Sequence, residues 1–182
     1  VYTVSDQYPH GIVGLTLLNG GDGCVCHNIS PTPGVNVSIK GPDSLAQGSS
    51  AVYSITIKGG SQGAGGFNVA ARFGLLTASD TSAKKIDVEL THVRPKVFSG
   101  DSVRWSFTYT APAGATSDTI YSLGLSADNN GIPSSGDVWN FGSNFPVRIL
   151  AAVPVELSSF NGMVTADGVL LKWSTVTETN NK

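Results

Sequence analysis

Short runs of alternating apolar residues constrain the fold of this 182-residue chain more than any other feature. An alternation of period two places the apolar side chains on one face of a β-strand. Gly- and Pro-containing turns separate the runs, and no segment has a convincing helical period. The pattern therefore predicts an all-β fold, a two-sheet β-sandwich. The predicted strand faces are Val35/Val37/Ile39, Tyr53/Ile55/Ile57, Phe67/Val69/Ala71, Val103/Trp105/Phe107/Tyr109, Tyr121/Leu123/Leu125 and Phe145/Val147/Ile149.

Three further segments complete the prediction for the sandwich. Ile86, Val88 and Leu90 alternate, and His92 continues on the same predicted face. The glycine-rich residues 59–66 predict a turn, and the polar residues 128–137 predict a loop. We expect the aromatic side chains of the fourth run in the sandwich core rather than around a ligand.

The chain divides into three predicted regions. Residues 1–34 are rich in Gly and Pro and lack periodicity, so they predict an irregular N-terminal arm. Residues 35–150 form the predicted β-sandwich. Residues 151–182 predict a linker and the first strands of a partial second β module. An isolated strand pair is marginal in water, so these strands are expected to pack on the first domain or to act as donor strands for another chain.

Composition excludes several function classes. Only 13% of the residues are charged and the net charge is −2, so the chain has no basic patch for nucleic acid. No apolar run approaches the about 20 residues of a membrane span. The first residue is Val1, which we interpret as the product of signal-peptide cleavage, and this predicts a secreted or cell-surface protein. No nucleophile–base set or paired-carboxylate set stands out, so we do not predict an enzyme.

The tetrad Cys24-Val25-Cys26-His27 carries the chemistry of the arm. It contains both cysteines and one of the three histidines. In the C-x-x-C-H motif of c-type haem proteins, two thiols attach the haem covalently and the histidine ligates the iron. Here the spacing is C-x-C-H. Residues i and i+3 share a helix face, whereas i and i+2 do not. Either an extended backbone lets both thiols react, or Cys26 alone is attached.

Other interpretations of the tetrad stay open. Cys24, Cys26 and His27 could bind zinc together with His10, the two cysteines could form a strained disulfide, or both could be free thiols. If haem is bound, the second axial ligand is expected to be His92, with His10 as the alternative. The single methionine, Met163, is expected to serve packing.

The C-terminal region resembles known secretion cargo. Residues 153–160, VPVELSSF, and residues 168–181, GVLLKWSTVTETNN, closely resemble the linker and immunoglobulin-like module that precede the sorting domain of type IX secretion cargo. The resemblance covers about the last 30 residues. It implies a bacterial cell-surface protein.

Residues from about 10 to 150 are similar to the reeler-like family called choice-of-anchor V. The ordered landmarks are the Cys-Cys-His motif, Gly66-Phe67, Leu90-Thr91-His92, Trp105-Ser106-Phe107-Thr108-Tyr109-Thr110-Ala111-Pro112, Asp128-Asn129-Asn130-Gly131 and Ser135-Gly136-Asp137. The family motif is usually C-x-x-C-H, and a family histidine lies where His92 lies. The resemblance implies an immunoglobulin/reeler-like sandwich that binds haem c through Cys24, Cys26 and His27, with His92 as distal ligand.

Two functions follow as expectations. The first is an extracellular monohaem c-type cytochrome-like protein that transfers electrons, with or without polymerisation. The alternative is a structural or adhesive subunit of a surface or filament, self-associating by strand exchange without a redox role. The sequence does not indicate a redox partner.

Overall fold

The structure, a computed structural model, describes residues 8–151 and 157–176. The chain divides into two units, one ending at Leu150 and the other beginning at Ala151. The described part contains one 3₁₀ turn, Leu17–Asn19, and otherwise only strands, which confirms the predicted all-β class. The strands of the first unit are β1 Val35–Lys40, β2 Ser44–Ala46, β3 Ser50–Gly59, β4 Ala64–Ala71, β5 Leu75–Ala78, β6 Ala83–Ile86, β7 Glu89–His92, β8 Lys96–Val97, β9 Ser102–Thr110, β10 Ser117–Ala127, β11 Val138–Phe141 and β12 Phe145–Leu150.

These strands form two sheets, as expected for an immunoglobulin-like sandwich with an irregular N-terminal arm. The four-stranded sheet has the order β1-β3-β9-β5, and the larger sheet has the order β2-β12-β10-β4-β7-β6, with β11 beside β10 and β8 beside β4. Neighbours are antiparallel except β2 and β12. The predicted aromatic run lies in the core, where Trp105, Phe107 and Tyr109 are almost fully buried. Burial of such large apolar side chains is the main favourable term in folding.

Two sequence predictions were wrong in detail. The predicted turn over residues 59–66 is shorter, because β4 already begins at Ala64. Gly65 and Gly66 are strand residues whose missing Cβ lets other side chains approach, and a Cβ on Gly65 would overlap the side chain of Val103. The predicted single strand from Ile86 to His92 is a hairpin.

Strand β10 shows which sheet face is the core. Ile120 belongs to the core cluster, whereas Leu123 and Leu125 lie on the opposite face because side chains alternate along a strand. On that outer face, Leu123 pairs with Asn68 of β4 and Leu125 pairs with Gly66. The predicted run Tyr121/Leu123/Leu125 therefore marks the outer face of the large sheet, not the core.

The N-terminal arm is bound to the large sheet by side-chain acceptors. The backbone N–H of Gly14 donates to Glu89 Oε2 at 2.9 Å, and that of Leu15 donates to Asn68 Oδ1 at 3.1 Å. Asn68 Nδ2 also donates to Glu89 Oε2 at 2.8 Å. Thr16 is fully buried. An irregular segment needs such partners for its backbone groups when it covers a sheet.

The second unit is a hairpin of β13 Leu157–Thr165 and β14 Gly168–Thr175. Its pairs Phe160–Trp173, Gly162–Leu171 and Val164–Val169 share one face. The large side chains of this face are exposed, Trp173 by 64%. Of the predicted strand from Val155 to Phe160, residues 155 and 156 lie outside the described residues. Over the described ranges, no helix is long and apolar enough to cross a membrane.

Candidate functional site

A cavity of about 370 Å³ lies between the arm and the outer face of the large sheet. Its volume falls in the range of small-molecule and cofactor sites. The arm contributes the whole tetrad, and the sheet contributes Gly66, Asn68, His92, Leu123 and Leu125. The loop before β11 adds Ile132, Pro133 and Asp137. The structure thus brings Cys24, Cys26, His27 and His92 together as lining residues of one cavity.

The tetrad is a turn and not an extended segment. The backbone N–H of His27 donates to the carbonyl of Cys24 at 2.9 Å, which closes the turn. The extended backbone that would place both thiols on one side of a strand is therefore absent from Cys24 to His27. Cys24 is half-buried and Cys26 is exposed, and both are free thiols. Burial, together with the nearby Cys26 thiolate, raises the pKa of Cys24 to about 12.

His27 is oriented by a buried carboxylate. Its Nδ1 lies 3.1 Å from Oδ2 of Asp137, whose side chain is 4% exposed. An ionised carboxylate only accepts hydrogen bonds, so Nδ1 carries the proton and Nε2 keeps its lone pair. Asp137 also accepts from the backbone N–H groups of Asp128 at 3.0 Å and Ser134 at 2.9 Å. This arrangement of carboxylate, histidine and free Nε2 is the one that metal-ligating histidines use.

Trp139 connects the arm to strand β11. Its ring packs against Gly23, where a Cβ would overlap the ring and where the backbone φ of +71° also favours glycine. Trp139 Nε1 donates to the carbonyl of Asn28 at 2.6 Å, and its carbonyl accepts from the N–H of Thr32 at 2.7 Å. Trp139 is 1% exposed. One side chain therefore holds both ends of the tetrad turn.

His92 contributes to the cavity from strand β7 and makes the opposite hydrogen bond. The backbone N–H of Phe67 donates to His92 Nδ1 at 3.2 Å, so Nδ1 is the unprotonated nitrogen. The Nδ1–Cε1–Nε2 edge of the ring lies against Gly66, where a Cβ would come within 2.7 Å of Cε1. Burial lowers the pKa of His92 to about 4; the backbone contact with Phe67 acts against this shift, and the charges of Lys84 and His10 act with it.

The remaining candidates lie apart from this arrangement. His10 is not among the residues that line the cavity, and its Nδ1 lies 3.2 Å from the carbonyl of Val93. Within residues 8–151 and 157–176, no group of three or more His, Cys, Asp or Glu side chains forms a cluster that could hold a metal ion. Met163 lies in the second unit, on β13, and is exposed.

Sequence reasoning found the tetrad and His92 but missed Asp137 as the partner of His27 and Trp139 as the anchor of the arm. Asp137 ends the polar loop 128–137, and Trp139 follows it on β11. An aspartate in a polar loop indicates a functional role only when its partner is known, and the partner of Asp137 is His27, 110 positions away along the chain. Nothing in the local sequence pairs the two segments.

Comparison with known proteins yields a structural similarity but no matching family. No protein-family model and no curated protein matches the sequence. Among solved structures, the chain is similar to the CARDB domain of a Pyrococcus furiosus protein, which was crystallised in complex with di-metal ions. The identity is 17% and the TM-score is 0.37, covering 64% of this chain and 87% of that one. A similarity at this level shows neither the family nor the function of this chain.

Proposed function

We propose that the cavity binds one haem covalently and that the protein is an extracellular c-type cytochrome-like electron-transfer protein. One observation carries the proposal: the Cys26–His27 pair, with its ligand-ready Nε2, lies on the wall of the same cavity as His92, 65 positions away in the sequence. The resemblance to the choice-of-anchor V family supports the same interpretation. The sequence similarity of residues 153–181 to type IX secretion cargo supports a cell-surface location.

The residues of the cavity fit a haem group in their chemistry. Leu123, Leu125 and Ile132 provide apolar contacts for a porphyrin. His27 would ligate the iron through Nε2, since Nδ1 is engaged by Asp137. The Cys26 thiol would add its S–H across a vinyl C=C bond, forming one S–C and one C–H bond without a further reactant. When bound, haem supplies a one-electron couple between ferric and ferrous iron.

Cys26 is the better of the two attachment residues. It is exposed and adjacent to His27, whereas Cys24 is half-buried at the first position of the turn. A single thioether bond through Cys26 therefore accounts for the shortened C-x-C-H spacing. Attachment through Cys24 as well requires the turn to open, because the His27–Cys24 hydrogen bond closes it.

The decisive experiment is the intact mass of the chain after secretion from a host that attaches haem to c-type cytochromes. We expect the mass of one haem to be added, and haem staining to survive denaturing electrophoresis. The matched variants are Cys26→Ala, expected to lose the covalent haem, and Cys24→Ala, expected to retain it. A colourless chain of unmodified mass in the same host, with a control cytochrome correctly loaded, would refute haem binding.

A second candidate function is supported by the hairpin of the second unit. The face formed by Phe160, Leu171 and Trp173 is exposed, and a two-stranded hairpin is marginally stable alone. We propose that this hairpin associates with a second copy of the chain, as a surface or filament subunit would, by strand addition. Deletion of residues 157–176 is expected to convert the assembly to a monomer in sedimentation velocity. A monomeric full-length chain at high micromolar concentration would contradict this candidate.

A further inference from the structure

Two histidines line one cavity, and their hydrogen bonds give them opposite roles. At His27 the ring donates from Nδ1 to a carboxylate, which leaves a lone pair on Nε2. At His92 the ring accepts at Nδ1 from a backbone N–H, so a proton must lie on Nε2. A histidine nitrogen that carries a proton cannot ligate a metal. The sequence-based expectation that His92 is the distal ligand does not take this hydrogen bond into account.

The hydrogen bond at His92 Nδ1 extends the pairing of strands β4 and β7. Strands β4 and β7 pair at Asn68–Thr91 and Val69–Leu90, and the next N–H along β4, that of Phe67, is taken by the ring of His92. The hydroxyl of Thr91 donates to the carbonyl of the same residue, Phe67, at 2.8 Å. Two side chains of β7 therefore satisfy the backbone of Phe67.

Metal ligation by His92 would disrupt this end of the strand pair. Moving the proton from Nε2 to Nδ1 would point it at the Phe67 N–H, so that two donors face each other and a buried backbone donor loses its acceptor. The close packing of Gly66 on the ring edge further restricts rotation of the ring.

We propose that His92 is a hydrogen-bond donor into the cavity and not a metal ligand. The iron of a haem attached through Cys26 and ligated by His27 would then keep one coordination position for a small exogenous molecule with an acceptor atom, such as a small anion or a diatomic gas. This inference rests on the proposed haem site. With this position open, the haem would bind a ligand that the Nε2–H of His92 stabilises, whereas a second histidine ligand would leave it only the transfer of electrons.

The test uses the full chain loaded with haem, with azide as the probe for the ferric state. We expect a high-spin spectrum that becomes low-spin as azide binds. His92→Ala is expected to leave the spin state without azide unchanged and to weaken azide binding about tenfold, the size of one hydrogen bond to a charged group. His92→Gln is the rescue variant, because its amide oxygen can accept from Phe67 and its NH₂ can donate to azide.

Each other outcome overturns a defined part of the inference. A low-spin spectrum without azide that becomes high-spin in His92→Ala identifies His92 as a ligand and overturns the donor role while retaining the haem site. A low-spin spectrum that persists in His92→Ala overturns the open position. Azide affinity that is equal in wild type and His92→Ala overturns the donor role.

A second measurement on the haem-free chain separates this inference from the proposed function. The ¹⁵N chemical shifts of the imidazole nitrogens report which nitrogen carries the proton. We expect Nε2–H at His92 and Nδ1–H at His27. A Nδ1–H tautomer at His92 refutes the donor role whether or not haem binds, whereas failure to load haem refutes the proposed function alone.

Discussion

The two sides of the cavity are built in different ways. On the sheet side, strands β4 and β7 hold His92 through a backbone hydrogen bond and a close contact with Gly66. On the arm side, an irregular turn is held by two side chains from distant sequence, Asp137 and Trp139. The role of a histidine therefore depends on the group that its Nδ1 faces: a carboxylate leaves the Nε2 lone pair for a metal, and a backbone N–H makes Nε2 a donor.

The largest expected effect comes from removing the anchor of the arm side. Trp139→Ala deletes a buried ring that packs on Gly23 and donates to the carbonyl of Asn28. Large-to-small substitution of a buried aromatic residue costs about 3–5 kcal/mol. We expect that loss in urea unfolding, together with proteolytic cleavage of the arm near the tetrad.

Trp173→Ala is the matched control for that variant. Trp173 is 64% exposed on the hairpin, so its removal is expected to change the stability of the first unit by less than about 0.5 kcal/mol. Equal effects of the two substitutions would show that Trp139 does not anchor the arm.

The sheet side was largely predictable from the sequence, because strand alternation reports burial directly. The run Val103/Trp105/Phe107/Tyr109 became β9, with all four side chains buried in the core. The arm side was not, because its geometry depends on contacts between Asp137 or Trp139 and residues more than 100 positions away. Residue type and spacing identify a reactive turn, and only the tertiary structure shows what orients it.

The failed strand prediction at Ile86–His92 has a specific cause. Asp87 and Val88 form a two-residue turn between β6 and β7, with Asp87 at a φ of +51° and Ile86 paired with Glu89. Ile86 and Leu90 are four positions apart and fit one alternating run in the sequence. Because Ile86 pairs with Glu89 across the turn, however, the two side chains lie on opposite faces of the hairpin. Val88, apolar and in phase, is 70% exposed at the tip.

The second prediction concerns the pH dependence of the sheet side. In the folded chain His92 stays neutral until the pH falls to about 4, whereas an unfolded histidine protonates near 6.5. The unfolded state therefore binds more protons between these values, and stability is lost as the pH falls through that window. The loss attributable to His92 is roughly 3 kcal/mol when complete.

His92→Gln is expected to remove this part of the pH dependence in urea titrations of the haem-free chain. His10→Gln is the comparison, because His10 is an exposed residue of the arm and its charge is the last-ranked cause of the lowered His92 pKa, so it should change the pH dependence far less. If wild type and His92→Gln lose stability equally between pH 6.5 and pH 4, the histidine is not held neutral by the sheet.

The third prediction distinguishes the two thiols of the arm side. With a pKa of about 12, Cys24 has about one part in 10⁴ of thiolate at pH 8. We expect iodoacetamide to alkylate Cys26 at least 100-fold faster than Cys24, a difference equivalent to about 2.7 kcal/mol in activation free energy. Raising the pH from 8 to 10 should accelerate alkylation of Cys24 about 100-fold.

The single variants Cys24→Ser and Cys26→Ser allow each rate to be followed by intact mass. Similar rates in the two variants at pH 8 would mean that the turn does not bury Cys24. Burial would then no longer distinguish Cys24 from Cys26 as the residue that attaches haem.

The smallest expected effect tests the contact that holds the His92 ring. In Gly66→Ala, the new Cβ would lie 2.7 Å from Cε1 of His92, so the ring must move away from strand β4. Overpacking of this kind costs about 2 kcal/mol, measured by urea unfolding. Gly34→Ala is the control, since a Cβ on Gly34 would meet no atom within 4 Å, and it should be neutral or slightly stabilising.

The Phe67 amide provides the specific readout for the same variant. Its hydrogen exchange should accelerate in Gly66→Ala, because its acceptor is the displaced ring, and should stay unchanged in Gly34→Ala. Unchanged exchange at Phe67 in Gly66→Ala would mean that the ring is not held between strand and glycine. The sheet side of the cavity would then hold His92 no more firmly than the arm side holds His27.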